Sequence, residues 1–162
     1  MSVNVESGVT YIITNVKAGT AMDLSAYDNL SGKKLELIDI FLSQYQPPSH
    51  PLVIGWPEHG HPNQQWTMNW TGNSWTFQAG STGQYLAIEG APADGTKVVA
   101  SATPFDWHIW RDDKDPNTFR IFVPNTHQNL DLYGKGNSTP GTPITLWWTW
   151  AGRHQTWRFT RG

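Results

Sequence analysis

Two spacings recur three times along this chain, and together they narrow the folds open to it. Tyr11 and Asp23, Trp75 and Ala87, and Phe119 and Asp131 are each 12 positions apart. Trp56 and Trp66, Ala100 and Trp110, and Trp147 and Trp157 are each 10 apart. The three closing tryptophans, 66, 110 and 157, lie 44 and then 47 positions apart. Each unit reads as four short β-branched or aromatic runs parted by turn residues. The first holds Thr10–Val16, Ala21–Ser25, Val53–Trp56 and Gln64–Met68. The second holds Ser74–Ala79, Gln84–Glu89, Lys97–Ala100 and His108–Trp110, with Asp94-Gly95 as a strong turn signal. The third holds Thr118–Val123, Asn129–Leu132, Pro143–Trp147 and Gln155–Phe159.

Three four-stranded units at a period of about 45 residues predict a closed all-β architecture with pseudo-threefold symmetry, since closure hides sheet edges. A propeller has four-stranded blades too, but three blades fall below its usual minimum, so a β-trefoil is expected. The units are 1–70, 71–114 and 115–162, in one domain spanning 1–162. Ten Trp, 15 Gly and 11 Pro suit short strands and tight turns. Trp66, Trp110 and Trp157 read as core, because a symmetric interior needs periodic large side chains. In Trp147-Trp148-Thr149-Trp150 alternate residues point opposite ways, which predicts an exposed Trp148.

Composition excludes several classes of function. A net charge of −2 offers no basic surface for nucleic acid and no polybasic membrane anchor. No apolar run approaches the roughly 18 residues that span a bilayer, so no membrane insertion is expected. The chain has no cysteine, which rules out disulfides and thiolate metal sites. Its first residues carry neither a basic region nor an apolar stretch, so no signal peptide is read and a cytoplasmic location is expected. The sequons at Asn29, Asn69 and Asn137 would then go unused. There is no Gly-x-Ser-x-Gly elbow, no Gly-rich phosphate loop and no carboxylate pair that stands out, so the chain is read as non-catalytic. Glu58-His59-Gly60-His61 lacks a fixed third ligand, so neither a metal nor any other cofactor is expected.

Asp-Leu strands at Asp23-Leu24 and Asp131-Leu132, with Gln64-Gln65-Trp66 and Gln155-Thr156-Trp157 as closing Gln-x-Trp triplets, resemble the ricin B-type lectins. The runs Thr14–Ser25 and Ile54–Trp66 resemble more particularly the cytoplasmic ricin B-like lectins of mushrooms and related fungi. The resemblance implies a β-trefoil that binds galactose- or N-acetylgalactosamine-type glycans, serves in defence and gains avidity as a homodimer. It also implies that Asp23, Trp56 and Asn63 hold the family's binding acid, aromatic and amide. Their chemistry suits a sugar. An indole covers the apolar face of the ring, a carboxylate accepts hydroxyls in charge-assisted bonds, and an amide both donates and accepts. His59 and the Gly55 backbone are further candidate contacts, and Gln64 is expected to brace Asp23.

The units differ. In the second, Ala87 replaces the acid, Ala100 the aromatic and Trp107 the amide, so no sugar site is expected there. The third keeps Asp131 and Trp147 with His154 in the amide's place, a weaker second site. The first carries about 17 extra residues, roughly Lys34 to His50, which could wall the pocket, block it or meet a second subunit. The competing reading is a β-trefoil protease inhibitor acting through the 34–50 insertion or the Gly136–Pro143 loop. Such an inhibitor has no need of Asp23, Trp56 and Asn63.

Overall fold

A computed structural model describes residues 4–25, 27–28, 33–34 and 50–162. The first unit supplies β1 (Thr10–Asn15), β2 (Ala21–Leu24), β5 (Val53–Trp56) and β6 (Trp66–Trp70). Between β2 and β5 a small hairpin pairs β3 (Tyr27–Asp28) with β4 (Lys33–Lys34). The rest of the predicted insertion, 35–49, lies outside the described residues. The second unit supplies β7 (Trp75–Ala79), β8 (Tyr85–Ile88), β9 (Val98–Ser101) and β10 (His108–Arg111). The third supplies β11 (Phe119–Phe122), β12 (Gln128–Leu132), β13 (Thr142–Trp148) and β14 (Trp157–Arg161).

The outer strands of each unit close a ring. β1 pairs with β6, β6 with β7, β10 with β11, β11 with β14 and β14 with β1. A bridge between Trp75 and Trp107 completes the circuit between β7 and β10. The inner strands form three hairpins, β2–β5, β8–β9 and β12–β13. These hairpins meet through Thr142 and Gly55, Leu52 and Val99, and Lys97 and Thr145. A six-stranded barrel capped by a triplet of hairpins is a β-trefoil. No barrel strand is left as a bare edge.

Side-chain alternation explains why these segments pair as they do. On β14, Trp157 and Phe159 point inward while Arg158 and Thr160 face solvent. The core is threefold: Ile13, Phe77 and Ile121 share one layer and Met22, Leu86 and Leu130 another, all fully buried. Phe159 closes the seam between first and third units, edge-on to Tyr11 at 5.6 Å and to Phe119 at 5.3 Å. Such ring pairs contribute about 1 kcal/mol beyond the area they bury.

The second unit departs from its expected register. Trp66, Trp107 and Trp157 are the equivalent core tryptophans; Trp110 stands 61% exposed. The indole N–H groups identify the set, donating to the carbonyls of Met22 (3.0 Å), Leu86 (2.9 Å) and Leu130 (3.2 Å). Strand pairing then makes Ser101, rather than Ala100, the counterpart of Trp56 and Trp147. Pro104, not Trp107, takes the position of Asn63. The physical cause is a shortened loop. Nine residues separate Trp56 from Trp66 and Trp147 from Trp157, but only five separate Ser101 from Trp107. A constant ten-residue step overshoots that loop and lands on an outward-facing side chain. As expected for alternating residues, Trp148 is exposed, at 53%.

Candidate functional site

The first-unit site is assembled from two strands and one loop. Asp23 on β2 pairs with Ile54 on β5, and Trp56 lies two residues further along β5. Residues two apart on a strand share a face, so Asp23 and Trp56 are diagonal neighbours on one side of the hairpin, about 7–8 Å apart. Asp23 is fully buried and Trp56 is half-buried. The loop between β5 and β6 carries a 3-10 turn, Pro62–Gln64, which tucks Asn63 and Gln64 inward.

Gln64 clamps this loop at four atoms. Its Nε2 donates to Asp23 Oδ2 (2.9 Å) and to the Pro57 carbonyl (3.0 Å). Its Oε1 accepts from the backbone N–H of His59 (2.9 Å) and of Gly60 (3.1 Å). The Asn63 side chain also hydrogen-bonds to Asp23. Burial nonetheless pushes the Asp23 carboxyl up to about 7, against the pull of the Gln64 and Asn63 bonds. His59 Nδ1 accepts from the His61 N–H at 3.0 Å, so the neutral ring carries its proton on Nε2. That Nε2 sits 3.6 Å from Asp23 Oδ2, beyond hydrogen-bond range. Burial, and secondarily the neighbouring His61, hold His59 below the usual histidine range.

Gly55 is buried between the first and third hairpins, and its carbonyl accepts from the Gly141 N–H at 2.9 Å. A Cβ there would come within 2.9 Å of Thr20 Oγ1 and 3.0 Å of Leu132 Cδ1. What Gly55 brings to this corner is the lack of a side chain. The same bond ties the end of the Gly136–Pro143 loop to β5, while residues 137–141 stand exposed.

The third unit repeats the arrangement. Asp131 pairs with Thr145, and Trp147 lies two residues beyond. Gln155 Nε2 donates to Asp131 Oδ2 (2.9 Å) and to the Trp148 carbonyl (3.1 Å). Gln155 Oε1 accepts from the Trp150 N–H (3.0 Å) and from Arg120 Nη1 (3.0 Å). His154 Nε2 stands 3.2 Å from Asp131 Oδ2. Burial raises the Asp131 carboxyl and lowers His154, which favours the uncharged forms of both. A cleft of about 270 Å³ opens here, lined by Asp131, Tyr133, Gly134, Lys135, Trp147, Trp150 and His154.

In the second unit Ala87 holds the acid position and Ser101 the aromatic one, and the shortened loop leaves Phe105 where Gln64 and Gln155 stand. Phe105 packs on Trp107 at 5.0 Å, so a hydrophobic plug replaces the clamp. Among the described residues, no group of three or more His, Cys, Asp and Glu is placed to hold a metal ion. No helix among them is long and apolar enough to cross a membrane.

Comparison with known proteins converges on this architecture. Residues 46–101 and 62–147 match the family described as "Ricin-type beta-trefoil lectin domain-like". The chain belongs to the ricin-type β-trefoil lectins. It is 53% identical to the Macrolepiota procera ricin B-like lectin, solved in complex with lactose, with 99% of this chain and 100% of that one covered and a TM-score of 0.83. The Rhizoctonia solani agglutinin is 25% identical over all of both chains, with a TM-score of 0.78. ThreeFoil, a designed threefold-symmetric protein, is 19% identical over 94% of this chain and 99% of its own; its TM-score of 0.74 speaks for the fold alone. Among curated protein sequences none matches the chain. Membership places this ricin-type chain among lectins rather than enzymes.

The sequence did not point to four residues of the third-unit cleft: Tyr133, Gly134, Lys135 and Trp150. Trp150 was recoverable, since it stands seven residues before the closing Trp157, as His59 does before Trp66. Tyr133 and Lys135 sit in a Tyr-Gly-Lys-Gly run whose glycines signal a tight turn, but nothing in the sequence aims that turn at Asp131.

Proposed function

We propose that this chain is a non-catalytic lectin for galactosides, with its principal site in the first unit. Asp23 accepts sugar hydroxyls, Trp56 covers the apolar face of the ring, and Asn63 bonds a further hydroxyl. His59 and Gly55 border the sugar, and Gln64 holds the acid in place. The carrying observation is the buried Asp23 carboxylate, fixed by Gln64 and Asn63 on the same hairpin face as Trp56. It gains weight from 53% identity to a lectin solved with lactose. A buried acceptor with its other bonds already made is preorganised, so little ordering cost falls on the ligand.

The preferred ligands on this reading are terminal galactose and N-acetylgalactosamine on glycoproteins or glycolipids. Asp131 and Trp147 form a weaker second site. A single shallow site binds weakly, so function as a defensive lectin in the cytoplasm would draw on multivalency, supplied by a homodimer. The test is retention on an immobilised galactoside. Asp23→Ala should elute in the void while its thermal melt stays cooperative; retention equal to the parent would exclude the first-unit site. A glycan array run beside a protease-inhibition panel separates the lectin from an inhibitor, and sedimentation equilibrium tests the homodimer.

A further inference from the structure

We propose that the third-unit cleft prefers a galactoside bearing an acidic group, sulfate or carboxylate, which it selects through Lys135. The inference rests on the reading of Asp131 and Trp147 as a sugar site and adds the class of sugar. Its starting point is the backbone of the turn after β12. Gly134 (φ 68°), Lys135 (φ 58°) and Gly136 (φ 82°) are consecutive left-handed residues. Glycine adopts this conformation without penalty, whereas Lys135 does so at a cost of about 1 kcal/mol. Strain of this kind persists only where the surroundings impose it.

The surroundings do impose it. Lys17, from the first unit, donates its Nζ to the Lys135 carbonyl. The Asn137 N–H bonds the Tyr133 carbonyl at 3.2 Å. Gly136 is wedged so that a Cβ would meet both His154 Cβ and Lys17 Cδ at 2.8 Å. The turn is therefore held from two units at once, and it sets Lys135 in the lining of the cleft.

Lys135 has no acidic partner there among the described residues. Among the described residues Asp131 is the sole acid lining the cleft, and Gln155 and His154 engage its Oδ2. Asp94, the next acid, is turned to the Trp148 N–H (2.8 Å) and the Gln128 amide (3.1 Å). Among the described residues Lys135 makes no ion pair. A ligand acid beside Lys135 would complete the set, while Asp131 Oδ1 takes a hydroxyl and Trp147 the ring face. Among the described residues the first-unit site shows no such cation, and its loop carries the exposed Glu58 where the third unit has Thr149.

The test is isothermal titration calorimetry on the full chain at pH 8 and low salt, with lactose, 3′-sulfolactose and 3′-sialyllactose. Trp56→Ala silences the first site, and Asp23→Asn serves as an independent way to do so. In either background one site should remain, binding an acidic lactose about fivefold more tightly than lactose itself. Lys135→Gln added to it should bring the sugars to parity, and so should high salt. Preference for the sulfated sugar alone, or the sialylated one alone, supports the inference and names the acid. Parity in the Trp56→Ala and Asp23→Asn chains overturns it, as does loss of all binding in both, and the galactoside reading then survives through the parent's affinity for lactose. A parent chain that binds none of the three sugars overturns both.

Discussion

The loops after Trp56 and Trp147 are built on one clamp and finished in two ways. Both span nine residues, and both hang on a buried glutamine that donates to an aspartate and to a backbone carbonyl. Both glutamines accept from the backbone N–H seven residues before the closing tryptophan. The fourth bond differs: Gly60 N–H in the first unit, the Arg120 guanidinium in the third. The groups displayed differ more. The first loop offers an amide and a histidine to its acid; the third offers a histidine and a second indole. The difference teaches that one clamp fixes the path of both loops, while the side chains displayed around it vary.

Removing the clamp should have the largest effect. Gln64→Ala or Gln155→Ala each deletes four hydrogen bonds and takes one donor from a buried carboxylate. We expect a loss of about 3 kcal/mol, or ~10 °C in melting temperature, from either change. Galactoside retention should fall in Gln64→Ala alone. Equal melting temperatures for parent and mutants would show that the paths are set by something other than glutamine.

A smaller effect separates the two loops sterically. A Cβ on Gly152 would overlap the His154 ring, whereas its counterpart in the first loop is His61, a residue with a side chain already. Gly152→Ala should cost about 1–3 kcal/mol, because the ring must leave Asp131 or the backbone must shift. His61→Ala should stay within about 0.5 kcal/mol in the same denaturant titration.

How much of this was legible beforehand follows from the same loops. The trefoil was readable because strands alternate and core residues recur, so periodicity alone carries the information. Asp23, Trp56 and Asn63 were named as a set by resemblance to the ricin B-type lectins, and the structure brings them together on one hairpin and its adjoining loop. Trp110 was misread as core because a five-residue loop stands where the other units have nine, and a spacing argument cannot see a deletion. Lys135 was missed because its importance arises from Lys17, more than a hundred residues away, and from a backbone conformation that two glycines permit without announcing its direction.

Acidity offers a graded test of the first site. Burial raises the Asp23 carboxyl to about 7 in the folded chain from the ordinary 3.8. Between those values the folded chain binds more protons than the unfolded one. This group's contribution to stability is therefore fully present below 3.8 and is lost as pH rises through about 7. Affinity should run the other way, since only the carboxylate accepts two sugar hydroxyls. Lactose binding should weaken by about tenfold from pH 8 to pH 6, while the melting temperature shifts upward from this group. Affinity that stays flat across that range would mean that Asp23 binds in its neutral form.

The smallest expected effect concerns His59. Its Nε2 is 3.6 Å from Asp23 Oδ2, while His154 Nε2 is 3.2 Å from Asp131 Oδ2. The shorter contact is a hydrogen bond; the longer one acts only if His59 is charged. Burial holds His59 below its ordinary value, so above pH 6.5 the ring is neutral and cannot supply the charge that would pull Asp23 down. His59→Gln should therefore move the midpoint of the lactose affinity profile by less than about half a unit. His154→Gln removes a donor already bonded to its acid, so it should move the third-site profile further. A His59→Gln shift of a full unit toward higher pH would mean that His59 is protonated in the bound state. The first site would then hold a histidine–aspartate pair like the third, and the two loops would differ in Asn63, in Trp150 and in the fourth clamp bond.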